Sequence, residues 1–271
     1  MKTRIISATV LLPILLVIVL ALPKLITALL LAVCAAIAAY ELMYKTELVR
    51  HTRLVAYSMA AAFVVPVWCY FGMPQGWGLL GILLFVSLLF AEFMRDHIKL
   101  QFEKIAVCLA AGLLIPYLFS GLIRIHVTEY GRHLILIPFI LAFLPDSGAY
   151  FAGRFFGAHK LAPVISPKKT VEGAVGGVLT AIVGMMIYGG VMALFFRFQV
   201  NFVFALIYGI VVSVGDVFGD LMFSVIKRQT GIKDYGNLIP GHGGILDRFD
   251  SMIVVAPLTE ALLILIPMMV K

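Results

Sequence analysis

Long apolar runs closed by short polar breaks repeat along the whole chain, over residues 5–22, 25–44, 54–72, 78–94, 104–124, 133–152, 171–196, 201–223 and 251–270. A helix rises about 1.5 Å per residue, so a run of about 20 residues crosses the roughly 30 Å hydrocarbon core of a bilayer. The pattern predicts an all-α fold, a polytopic integral membrane helical bundle with about nine transmembrane helices. Two places depart from the simple rhythm. Pro145 and Asp146 interrupt the sixth run, and Pro23 separates the first two so tightly that they read either as two spans or as a re-entrant hairpin. The run after Lys2 and Arg4 has the outline of a signal peptide, but no small-x-small cleavage pattern precedes Pro23, which favours an uncleaved first helix.

Composition strengthens this reading. Hydrophobic residues make up 62% of the chain, charged residues 13%, and mean hydropathy is +1.07, which excludes an ordinary soluble domain. The net charge of +7 is spread over many loops, so it reads as membrane topology and not as a nucleic-acid surface. With the N-terminus inside, sixteen of the 21 Lys and Arg residues face the cytoplasm, and only Lys24, Arg124, Arg132, Arg197 and Lys271 face the other side. Cys34, Cys69 and Cys108 each lie alone in an apolar run without metal-ligand spacing. Glu41, Glu92, Arg95 and Glu103 fall near span ends and read as solvated or interfacial, while Trp68 and Trp77 fit an aromatic belt.

One polar stretch stands apart: Ser224 to Ser251, SVIKRQTGIKDYGNLIPGHGGILDRFDS. Just before it, Asp216 and Asp220 lie four residues apart, and Ser224 continues the same helical face. Asp247 and Asp250 share a face at the start of the next run. These acids are hard oxygen ligands of the kind Mg²⁺ takes, in a site that leaves positions for water and substrate phosphate. Gly241, Gly243 and Gly244 permit a sharp turn into a helix beginning near Ile245 or Leu246, whose backbone N–H groups attract phosphate. Lys227, Arg228, Lys233 and Arg248 bring the countercharge that phosphoryl or nucleotidyl transfer needs. Taken singly, Lys227 and Arg228 read equally well as interface anchors, and Asp234 and Asn237 as turn residues. Anchoring alone requires neither the glycines nor a repeated carboxylate pair.

Ser224-Val-Ile-Lys227-Arg228, Lys233-Asp234 and Pro240-Gly-His242-Gly243-Gly244-Ile-Leu-Asp247-Arg248-Phe-Asp250 together resemble the signature of the phosphatidate cytidylyltransferase (CDP-diacylglycerol synthase) family. A second segment, Asp146 to Arg154 through Ser166-Pro-Lys168-Lys169-Thr170-Val-Glu172-Gly173, is also similar to that family. The likeness rests on motifs in the C-terminal half and on hydropathy alone in the N-terminal half. Phe223 departs from it, since many members carry an acid before the serine.

The resemblance implies Mg²⁺-dependent conversion of CTP and phosphatidate to CDP-diacylglycerol and pyrophosphate, with room for a second cation. It implies Asp220 and Asp247 as metal ligands, with Asp216 and Asp250 as auxiliary ones. Lys227, Arg228, Lys233 and Arg248 would clamp phosphates, and Ser224, Gly243 and Gly244 would contact substrate. His242 either meets the departing pyrophosphate or pins the turn. In the second segment Pro167 reads as a helix start, which places Ser166, Lys168, Lys169 and Thr170 where a nucleotide or lipid headgroup would be held. Asp146, costly inside an apolar run, reads as lining the same wet cavity. Glu172 serves either the helix dipole or the site, and Gly173 and Gly177 read as helix-packing positions.

The organisation expected is an N-terminal transmembrane scaffold over residues 1–130 and a catalytic region over 131–271 with cytoplasmic loops 153–170 and 224–250. The location expected is a bacterial-type inner or plasma membrane, with the active site facing the cytoplasm. Partners would be CTP, phosphatidate and membrane lipids, with no nucleic acid; a homodimer is an allowed assembly. Two rivals share some features. A CDP-alcohol phosphotransferase would bring an Asp-Gly, Ala-Arg and spaced-Asp pattern that is not found here. A transporter would place its charges near the bilayer midplane, whereas this cluster lies in a surface loop.

Overall fold

The computed structural model describes residues 13–98, 100–239, 241 and 243–271. Residues 13–21 are helical; the rest of the first predicted span, with Lys2 and Arg4, lies outside the described residues, as do Pro240 and His242. Seven described helices are long and apolar enough to cross a membrane: α1 (Lys24–Lys45), α2 (Thr52–Phe71), α3 (Gln75–Arg95), α4 (Phe102–Val127), α5 (Gly131–Phe156), α6 (Val171–Phe196) and α7 (Phe202–Gln229). All have counterparts among the apolar runs. The backbone satisfies its own N–H and C=O groups in helices, as a hydrocarbon surrounding requires.

The last predicted span takes a different form. Its helix, α9 (Met252–Leu265), has only 14 residues, about 21 Å, which is short of a full crossing. An extended tail follows alongside α7. The Tyr208 hydroxyl donates to the Ile266 carbonyl at 3.3 Å, and Asn201 N donates to the Met268 carbonyl at 2.8 Å. Strand β4 (Met269–Val270) then pairs antiparallel with β3 (Gln199–Val200). This pairing brings Arg197 and Lys271 to the same end of the two segments. Near the other end of α7, Gly219 lets α9 start close by, since a Cβ there would lie 3.0 Å from Ser251 Cα.

The chain divides into two compact units, one of Met1–Arg132 with Lys227–Phe249, the other of His133–Ile226 with Asp250–Lys271. In the second, α5 and α6 pack along small residues. A Cβ on Gly173 would stand 2.9 Å from the Ala149 carbonyl, and one on Gly177 2.9 Å from that of Pro145. Such close approach gains dispersion contact in a membrane, where burying apolar surface gives no hydrophobic drive between helices.

Between α5 and α6 the expected helix start at Pro167 is replaced by a hairpin. Strand β1 (Lys160–Ala162) pairs with β2 (Ser166–Thr170), and α6 begins only at Val171. Pro167 drives Ser166 towards extended backbone, and a proline without an N–H is tolerated in a two-stranded ribbon, where both strands are edges. Thr170 is the true N-cap, its hydroxyl accepting from Gly173 N at 3.1 Å.

Candidate functional site

The polar residues gather in two clusters, one in each unit. In the unit built on α5, α6 and α7, a cavity of about 340 Å³ is lined by Asp146, Arg154, Lys168, Lys169 and Asp216 among apolar and small residues. Asp216 and Asp220 project from the same face of α7. Asp216 is only 2% exposed, and its side chain is hydrogen-bonded by Ser251. Its Oδ1 is buried without a hydrogen-bond partner. Leaving such an atom unmade in a low-dielectric interior is expensive, so it marks a place for a donor or a cation. Asp220 forms an ion pair with Lys169 and accepts from the Ser224 hydroxyl at 3.3 Å. Lys168 is exposed on β2 and lines the cavity, Ser166 is half-buried on β2, and Asp250 is buried at the turn before α9, accepting from Ser251 N at 2.9 Å.

The hairpin carrying Lys168 and Lys169 is anchored by Glu172. Its carboxyl group accepts from Ala158 N at 3.1 Å and His159 N at 3.2 Å, and lies 2.6 Å from His159 Nδ1. Glu172 therefore shapes the loop. The N-terminus of α6 is partly occupied by the protein itself, because Val171 N donates to the His159 carbonyl and Gly173 N to Thr170.

In the other unit, the segment after α7 folds into a tight knot. α7 ends in a Schellman motif: Gly231 has φ +71°, Ile232 N donates to the Lys227 carbonyl at 3.0 Å, and Gly231 N donates to that of Arg228 at 3.3 Å. Gly241 and Gly243 take φ +78° and +85°, and Ile239 N closes the turn onto the Gly243 carbonyl at 2.9 Å. Asp247 is the hub. Its Oδ2 accepts from Tyr235 N at 2.7 Å and Gly244 N at 3.0 Å, and its Oδ1 from Lys227 Nζ at 3.0 Å. Arg228, Lys233 and Arg248 are exposed around this knot.

Two expectations are corrected here. The helix α8 (Leu246–Phe249) lasts a single turn before a turn at 250–251, so Asp247 and Asp250 do not share a helical face. Nor is its N-terminus open to phosphate, because its donors are taken by carboxyl groups. Gly244 N goes to Asp247, while Ile245 N and Leu246 N go to Glu41 at 3.1 and 2.8 Å.

Glu41 is also a residue that sequence reasoning missed. Taken as an interfacial side chain, it is in fact 3% exposed. An acid inside an apolar run is the signal that could have singled it out. Glu92, likewise read as solvated or interfacial, is buried and paired with Arg53 at 3.0 Å.

A model of the cytidylyltransferase family matches residues 2–266. The chain belongs to the cytidylyltransferase family. Among its relatives are proteins named phosphatidate cytidylyltransferase from Staphylococcus saprophyticus, 44% identical, Staphylococcus haemolyticus, 42% identical, and Staphylococcus aureus, 40% identical. Each likeness extends over 167 residues, 61% of this chain and 62% of the relative, so the chain spans under two thirds of the length of the relatives it matches.

Within each unit cations stand beside carboxyl groups, and in the second unit a mostly apolar cavity opens beside them. Among the described residues, no three His, Cys, Asp or Glu side chains stand close enough to hold a metal by themselves. The acids present fit an ion that keeps most of its coordination for water and phosphate oxygens, as Mg²⁺ does, and the unpartnered Asp216 Oδ1 suits such an ion.

Proposed function

We propose that this membrane protein is a phosphatidate cytidylyltransferase, joining CTP and phosphatidate to give CDP-diacylglycerol and pyrophosphate at the cytoplasmic face of a bacterial membrane. The observation that carries the reading is the cavity lined by Asp146, Lys168, Lys169 and Asp216 in a chain of this family, with Asp220 paired to Lys169 at its edge. The relatives' printed names support the choice of substrates, and the excess of cations on one side supports the orientation.

In the reaction a phosphatidate phosphate oxygen attacks the α-phosphorus of CTP, a new P–O bond forms, and the bond to the β-phosphate breaks to release pyrophosphate. The attacking oxygen is already ionised near neutral pH, so no general base is required. What the protein must do is bring two anions together. Lys168 and Lys169 receive phosphate oxygens at the cavity, and the likeness of the signature motif assigns phosphate contacts to Lys227, Arg228, Lys233 and Arg248. Asp216 and Asp220 would hold Mg²⁺. Asp247 stays a candidate ligand, because a carboxylate oxygen has two lone pairs and the bond from Lys227 uses one of those on its Oδ1. Bound there, Mg²⁺ would offset the charge on the transferring and leaving phosphates.

The test is pyrophosphate release by the purified protein in detergent with Mg²⁺ and CTP, with and without phosphatidate. Release that needs both substrates, with a CDP-linked lipid as product, is the expected result. No release from folded protein overturns the reading and points to solute uptake in vesicles as the next assay.

A further inference from the structure

A buried acid must be compensated by hydrogen bonds or a counter-ion, and Glu41 is compensated by a loop 204 positions away along the chain. Each of its two carboxyl oxygens takes one backbone N–H: Oε1 that of Ile245 at 3.1 Å, Oε2 that of Leu246 at 2.8 Å. The loop is moulded around the group. A Cβ on Gly236 would stand 3.0 Å from Glu41 Cδ, and a Cβ on Gly244 would overlap the carboxyl outright. The helix that carries it changes form at the same place, since the α-helical part of α1 ends at Tyr40 and a π-helical turn runs from Glu41 to Lys45. Such insertions displace a side chain from the face it would otherwise occupy and concentrate at functional sites.

We propose that Glu41 is a positioning residue for the transfer reaction. It fixes the segment from Gly236 to Leu246 so that Asp247 and Lys227 keep their geometry. By taking the donors of Ile245 and Leu246, it also denies that helix start to phosphate, leaving substrate phosphates to the side-chain cations. The inference rests on the function proposed above. It also gives α1 a part in the site that a mere scaffold would not have.

The test combines hydrogen exchange of the peptide covering 236–246 with turnover, in Glu41→Gln and Glu41→Ala. Glutamine is isosteric but offers one acceptor oxygen in place of two, so one backbone N–H is left unmade. Exchange in that peptide should rise about tenfold, and kcat per folded molecule should fall about tenfold, with exchange in peptides outside the loop at wild-type levels. In Glu41→Ala, added formate should restore both protection and kcat, and should do nothing for the wild type. Wild-type exchange in Glu41→Gln, or full turnover with the loop loosened, overturns the inference. A wild-type protein that releases no pyrophosphate overturns the reaction instead, and the exchange measurement then decides by itself whether Glu41 anchors the loop.

Discussion

Two lysine–carboxylate pairs, Lys169–Asp220 and Lys227–Asp247, have the same chemistry and opposite surroundings. In the first, both side chains keep about a quarter of their surface open, 25% and 29%. In the second they keep 12% and 2%, and Asp247 also accepts two backbone N–H groups. Asp220 has only the Ser224 hydroxyl besides its lysine among the bonds described. The open pair has Lys169 on the wall of a cavity. The closed pair is the centre of a folded loop. On the function proposed, the difference divides the signature residues into those left open to substrate and those that build the loop beside them.

The largest test of this division is the pair Asp220→Asn and Asp247→Asn. Both should lower turnover by about 100-fold or more, the size seen when a group that stabilises the transition state is removed. They should differ in stability. Asp247→Asn removes the charge that the half-buried Lys227 faces and weakens the acceptor for two backbone N–H groups, which should cost about 3 kcal/mol, and it should open the 232–245 loop to proteolysis. Asp220→Asn should melt within about 1 kcal/mol of wild type, because a partly exposed pair contributes little. Equal destabilisation by the two changes would erase the distinction.

The sequence makes some of this division legible and hides the rest. The apolar runs were readable because hydropathy registers the bilayer, and one of them, 171–196, coincides with α6 (Val171–Phe196). For α7 the hydropathy stops near residue 223 while the helix continues to Gln229, because Lys, Arg and Gln are good helix formers once outside the apolar layer. The hairpin was not readable. Ser166-Pro-Lys-Lys-Thr carries the local marks of a helix start, and only its pairing with residues 160–162 makes it a strand. The acids of the signature could be found by type and spacing, but Asp247's two backbone donors could not. Glu41 was visible as a costly acid, though nothing local to residue 41 names a partner beyond residue 240.

Gly243→Ala sharpens the comparison at a smaller scale. A Cβ there meets Asp247 Oδ2 at 2.8 Å while the backbone holds φ +85°, so the change strains the closed loop and leaves the open pair alone. The expected cost is about 1–3 kcal/mol in the unfolding midpoint, with turnover lowered through the loop. If Gly243→Ala keeps full stability and turnover, the knot around Asp247 is looser than its hydrogen bonds imply.

The smallest effect separates the ways in which the two regions hold their helix starts. Near the open pair, α6 is capped by a single hydroxyl, Thr170 to Gly173 N, whereas the start of α8 is held by two carboxyl groups, Glu41 and Asp247. Thr170→Ala removes one neutral acceptor at a helix end and should cost about 1 kcal/mol. Thr170→Ser keeps the oxygen and should restore most of that. The loss should appear in the unfolding midpoint and hardly in kcat, because Lys168 and Lys169 stay on the hairpin that Glu172 anchors independently through residues 158 and 159. Were Thr170→Ala instead to abolish turnover while Thr170→Ser preserved it, the hydroxyl would be meeting substrate. The hairpin would then belong, like Asp247's loop, among the parts whose fold and chemistry cannot be separated.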